Sequence, residues 1–110
     1  MSNIYWEHDG QRITLDDIRR FISWHKISPT PILIESLEPL LTVKTSPERV
    51  RSVDSTDPIM VNTHNRRPII LLDGHHRVQQ AKRRGDTKIA AYTMERMQIP
   101  VAWRNVFSTS

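Results

Sequence analysis

The sequence predicts an α+β fold: a small mixed β-sheet with flanking helices and an N-terminal hairpin-helix appendage. Three observations lead there. Asp9-Gly10 links two short runs of strand-forming residues and is followed at once by a helix start. The apolar run from Pro68 to Leu72 lacks the alternation of a half-exposed strand and stops at Asp73-Gly74. A helix that closes at Gly85 then leads into another apolar run, Lys88 to Tyr92, so strands and helices interleave around one sheet.

The 110 residues suffice for one core but not for two ordinary domains, so 1–110 is read as a single domain. A hydrophobic fraction of 37% and a charged fraction of 25% are those of a soluble globular chain. No apolar run approaches the roughly 20 residues of a membrane span. The opening MSNIYWEHDG lacks the charged-then-apolar pattern of a signal peptide. The chain has no cysteine, which excludes disulfides, a thiol nucleophile and thiolate metal sites. A cytoplasmic protein with no membrane partner is the expectation.

The formal charge of +4 is unevenly spread. Residues 1–43 carry four basic and six acidic groups, whereas residues 44–110 carry twelve basic and six acidic. Clustered positive charge concentrates polyanions, so a phosphate-bearing partner and a solvated basic surface account equally well for the second half.

Each element has a local reason. Asp9-Gly10 between Ile4–His8 and Gln11–Thr14 signals a hairpin. Thr14 with Asp17 three residues on reads as an N-terminal cap, and Leu15, Ile18, Phe21 and Ile22 recur at helical spacing up to about His25. Ser28-Pro29-Thr30-Pro31 breaks that helix and separates the appendage, residues 1–30, from the rest. Pro31 to Glu35 and Leu37 to Val43 read as short strands. Ser46-Pro47-Glu48 reads as a helix start, and Pro58 to Val61 as a strand. Thr63 to Arg67 forms a polar turn before the strand Pro68 to Leu72. Arg77 to Arg84 is a helix with Val78 and Ala81 inward and Gly85 as its stop. In the tail, residues 94–110, Trp103 and Phe107 suggest packing.

The strand-to-helix junction Asp73-Gly74-His75-His76-Arg77 carries the chemistry. Such a junction leaves the first helical N–H groups unpaired, and with the helix dipole they attract anions. Gly74 permits a sharp turn and close approach. Arg77 offers a planar fork for two phosphate oxygens. His75 and His76 can donate to phosphate or move a proton near neutral pH. Asp73 can coordinate Mg²⁺ or accept a hydroxyl proton. Adjacent histidines point in different directions, so at least one is structural.

DGHHRVQQAKRRG, with PIILL before it and TKIAAY after it, resembles the signature of the ParB/sulfiredoxin superfamily. LLTVKTSPERVRSV and DPIMVNTHNRRPIILL resemble the family's upstream elements, so the likeness covers roughly 37–93. It implies a nucleotide-binding fold whose phosphate loop is Asp73, Gly74, His75, His76 and Arg77. The sulfiredoxin activity needs a loop cysteine, and here that position is histidine. Partition ParB proteins bind CTP and clamp DNA with a further helix-turn-helix domain, for which residues 94–110 are too short. Free serine kinases of the superfamily carry a loop like DGHHR, with its Asp and an upstream Glu in phosphoryl transfer; Glu48 would be that acid.

Three functional readings follow. The first is a ParB-like phosphate- or nucleotide-binding protein acting on or with DNA, as a Mg²⁺-dependent nuclease or an NTPase using ATP or CTP. Asp73, His75, His76 and Glu48 would then be catalytic, Asp73 the metal ligand, and Arg66, Arg67, Lys82, Arg83 and Arg84 nucleic-acid contacts. The second is a small-molecule kinase of the free-serine type. The third is a non-catalytic binding module or inhibitor that engages a protein partner. Separately, Phe21 and Trp24 on the appended helix offer a homodimer contact.

Overall fold

The computed structural model describes residues 5–41 and 57–108. Strands β1 (Tyr5–His8) and β2 (Gln11–Thr14) pair antiparallel, with Tyr5 opposite Thr14 and His8 opposite Gln11. Asp9 and Gly10 turn the chain with φ of 50° and 79°, the hairpin geometry that matches strand twist. Thr14 then caps α1 (Leu15–Trp24). Its hydroxyl accepts from the Asp17 N–H at 3.1 Å, and the Asp17 carboxylate accepts from the Thr14 N–H at 2.8 Å. This is the reciprocal box expected from Thr14 and Asp17.

The main sheet runs in the order β3 (Thr30–Leu33), β6 (Lys88–Glu95), β4 (Ile59–His64), β5 (Arg67–Asp73). β6 pairs antiparallel with β3 and parallel with β4, and β4 pairs antiparallel with β5. The sheet is therefore mixed. Met60, Leu72 and Met94 pack in one cluster with Ile13, Leu15, Ile18, Ile22, Ile99, Val106 and Phe107. Ile59, Val61, Leu71 and Ala91 pack in another with Val78 and Ala81 of α2 (His75–Arg83) and with Ile34 and Leu37. Neighbouring residues such as Leu71 and Leu72 thus enter different cores. Both faces of the strand are covered, which is why its sequence shows no alternation.

The hairpin and α1 belong to the first of these cores. Trp6 meets Phe107 edge-to-face at 5.6 Å, and Phe21 lies 5.4 Å from Trp103. The tail is accordingly ordered into α3 (Val101–Ser108), in which Phe107 is buried. Arg104 ties α3 to the preceding loop, donating from Nε to the Arg96 carbonyl at 2.8 Å and from Nη2 to that of Met97 at 3.1 Å. Among the described residues, no helix is long and apolar enough to cross a membrane.

Three expectations need correction. Leu37 was expected to open a strand, but Ile34–Leu40 is a 3₁₀ helix. Ile34 and Leu37 are buried at a spacing of three, which suits three residues per turn, and the fixed φ of Pro39 is compatible with that helix. The turn before β5 is narrower than Thr63–Arg67: only Asn65 and Arg66 have positive φ, 51° and 67°. The helix after Gly74 begins at His75, not at Arg77, so both histidines stand on its first turn. Its end is as expected. Gly85 has φ 81°, its N–H reaches the Lys82 carbonyl at 3.0 Å, and the Asp86 N–H reaches that of Ala81 at 3.0 Å. Glu48 and the helix expected around Ser46 lie outside the described residues.

Candidate functional site

Asp73 ends β5, Gly74 turns with φ 110°, and His75 starts α2. The Val78 N–H returns to the Gly74 carbonyl at 2.9 Å, closing the first helical turn. Gly74 has no side chain to cap that turn. The glycine is required sterically. A Cβ there would stand 2.8 Å from Ile59 Cβ and 3.3 Å from Arg77 Nε.

Arg77 folds back one turn, and its Nη2 donates to Asp73 Oδ2 at 2.6 Å. The two side chains are only 14% and 17% exposed. Arg77 Nε is buried against this turn without a hydrogen-bond partner. Asp73 and Arg77 form one wall of a cleft of about 510 Å³. α1 and its end contribute Arg19, Ile22, Ser23, Lys26 and Ile27 to the lining. Met60 and Tyr92 from the sheet, and Asp57 with Pro58 before β4, complete the lining. The volume lies in the range typical of small-molecule sites.

The junction residues do not all face this cleft. Asp73 and Arg77 line it, whereas His75 makes a backbone hydrogen bond at Leu40 on the 3₁₀ helix. Burial holds the His75 imidazole below its ordinary pKa. The Asp73 carboxylate opposes this, His76 adds to it, and the Leu40 bond opposes it. The balance favours the neutral imidazole over its cation. Glu48 lies outside the described residues.

The basic residues expected to contact nucleic acid are dispersed. Arg66 and Arg67 sit at the β4–β5 turn, beside Glu95 at the far end of β6. Lys82, Arg83 and Arg84 close α2, just before β6 begins at Lys88. Eight strand residues separate the two groups, a span of roughly 25 Å. Lys82 pairs with Glu38 at 3.0 Å and Arg84 with Asp86 at 2.7 Å. The Arg66 N–H donates to Glu95 at 3.2 Å, and the Thr63 hydroxyl donates to the same carboxylate. The Thr63 bond is the main reason the Glu95 pKa is lowered. Among the described residues, no three His, Asp or Glu side chains gather into a metal-binding group.

Sequence reasoning placed Asp73 and Arg77 but missed Arg19, Lys26, Asp57 and Tyr92. Arg19, Ser23 and Lys26 recur at i, i+4 and i+7, a polar stripe beside the buried Ile18 and Ile22. That stripe was a legible signal that one edge of α1 faces something polar. Tyr92 and Asp57 carried no such mark.

Compared with protein-family models, curated proteins and solved structures, the chain matches none of them. The likeness to the ParB/sulfiredoxin superfamily therefore rests on the DGHHR junction and its flanking segments.

Proposed function

We propose that this chain binds a small phosphate-bearing ligand of the nucleotide class in the cleft between α1 and the Asp73–Arg77 junction. The observation that supports this reading is the pairing of two unlike walls. One presents a guanidinium locked by a carboxylate, and the other presents Arg19 and Lys26. Arg77 is oriented before any ligand arrives, which lowers the ordering cost of binding. The apolar Met60, Ile22 and Ile27 and the ring of Tyr92 suit a base or sugar, and the cations suit phosphate oxygens.

Mg²⁺ is compatible with these residues. Asp73 keeps Oδ1 while Oδ2 is held by Arg77, and Asp57 adds a second carboxylate to the lining. One or two carboxylates with substrate phosphates are the usual Mg²⁺ environment, and the ion would neutralise phosphate charge there.

The ParB-like resemblance points the same way, towards ATP or CTP. The dispersal of Arg66, Arg67 and Lys82–Arg84 favours a small nucleotide over a DNA duplex as the primary ligand. With Asp73 Oδ2 committed to Arg77, binding is favoured over general-base chemistry as nuclease, NTPase or kinase.

Thermal unfolding with ATP, CTP, GTP and a short DNA duplex, each with and without Mg²⁺, tests the reading. A nucleotide at 100 times its Kd adds about 2.7 kcal/mol. That raises Tm by roughly 4–8 °C per kcal/mol in a domain near this size. Arg19→Gln, a change on an exposed side chain, should reduce the shift. No shift with any nucleotide would sink the proposal.

A further inference from the structure

Lys26 occupies a position that normally belongs to glycine. It follows the last turn of α1 with φ 52°. The Ile27 N–H reaches the Ile22 carbonyl at 3.0 Å, and the Lys26 N–H reaches that of Ser23 at 3.1 Å. This is the left-handed helix stop, where a Cβ is unfavourable and glycine is the default. Gly85 fills the equivalent place at the end of α2. The chain therefore carries a strained lysine where glycine would be more stable, and strain of this kind collects at ligand sites.

The same lysine lines the cleft. The other two cations there already have partners: Arg77 is bound to Asp73 at 2.6 Å, and Arg19 reaches Asp16 at 3.3 Å. Among the described residues, Lys26 has no ion-pair partner. A flexible ammonium on a strained turn, lining the same cleft of about 510 Å³ as a preorganised guanidinium, is placed to grip an anion.

We propose that Lys26 is a ligand-binding residue of this cleft, holding a phosphate group from the α1 side, and that its left-handed backbone is kept at the expense of stability to present that charge. The inference rests on the cleft being a phosphate site. The phosphate can belong to a free nucleotide or to a nucleic-acid backbone.

Lys26→Gly separates binding from folding because the two effects have opposite signs. Glycine relieves the strain, so the variant should melt a few degrees higher than the wild type. Losing one charge-assisted contact should weaken binding roughly 10- to 100-fold. Lys26→Arg keeps the charge and should bind nearly as the wild type does. Calorimetric titration with MgATP, MgCTP, inorganic pyrophosphate and a short DNA duplex, at two salt concentrations, reads this directly. Weakened binding of a nucleotide or pyrophosphate with a smaller salt dependence supports the proposal for a free phosphate ligand. The same result with the duplex alone supports it for a backbone phosphate. A Lys26→Gly protein that melts higher and binds as tightly as the wild type overturns the role of Lys26 while the cleft keeps its function. A wild type that binds none of the four probes overturns both.

Discussion

Arg77 Nη2 and Asp73 Oδ2 meet at 2.6 Å across one helical turn, joining the end of β5 to the third residue of α2. The pair ties the end of β5 to the first turn of α2, and both side chains line the cleft. With both side chains mostly buried, each charge depends on the other for compensation.

Arg77→Ala should destabilise the domain by about 3 kcal/mol, because it leaves the Asp73 carboxylate mostly buried and alone. Asp73→Leu combined with Arg77→Met should cost much less than the two single changes added together. Urea unfolding of the four proteins gives the coupling directly. Additive single and double changes would mean the pair contributes nothing as a pair.

Gly74→Ala should cost roughly 3 kcal/mol. The residue sits at φ 110°, and the new methyl would press on Ile59, a fully buried residue of β4. Gly10→Ala is the control, since nothing lies within 4 Å of a Cβ there and only the φ of 79° opposes it. A smaller loss at Gly74 than at Gly10 would show that the close approach to Ile59 is readily relieved.

These two residues also mark how far the sequence could be read. The junction was legible because an apolar run, a glycine and a helix pattern meet there, and each is a local signal. The hairpin and the Thr14–Asp17 cap were legible for the same reason. The 3₁₀ helix was not, because Leu37 and Leu40 fit strand and helix equally well over so short a run. The cleft was half legible. Asp73 and Arg77 lie in one motif, but Arg19 and Lys26 reach it only because α1 packs on the sheet. The periodicity of α1 predicts that it packs, not what its polar edge will face.

Acid should weaken the fold in two stages. His75 has a lowered pKa, so the folded state binds fewer protons than the unfolded chain just below the ordinary imidazole value of about 6.5. Its contribution is complete above that value and is lost as pH falls towards the lowered folded value. Glu95 is also lowered, chiefly by the Thr63 hydroxyl. Its contribution is complete above the ordinary Glu value, about 4.3, and disappears as pH falls through its folded value. His75→Gln should flatten the upper stage alone, and Thr63→Val the lower one alone. Denaturant midpoints between pH 7 and pH 3 check both, and an unchanged profile in either variant removes that residue from the account.

The N-terminal segment should prove indispensable to the sheet. Ile13, Leu15, Ile18 and Ile22 share one core with Met60, Leu72 and Met94, and Phe107 closes it from α3 against Trp6. Phe107→Ala should cost about 3–5 kcal/mol, the range for emptying an aromatic site in a packed core. Removing residues 1–27 would uncover a whole face of the sheet. The remaining chain should lose its cooperative thermal transition and bind a hydrophobic dye such as ANS. A truncated protein that still melts sharply would mean the second core, built on Ile59, Val61, Leu71 and Val78, holds the sheet by itself. The loss of Arg19 and Lys26 would then make it a clean test of the cleft, since one wall would be gone and the Asp73–Arg77 wall intact.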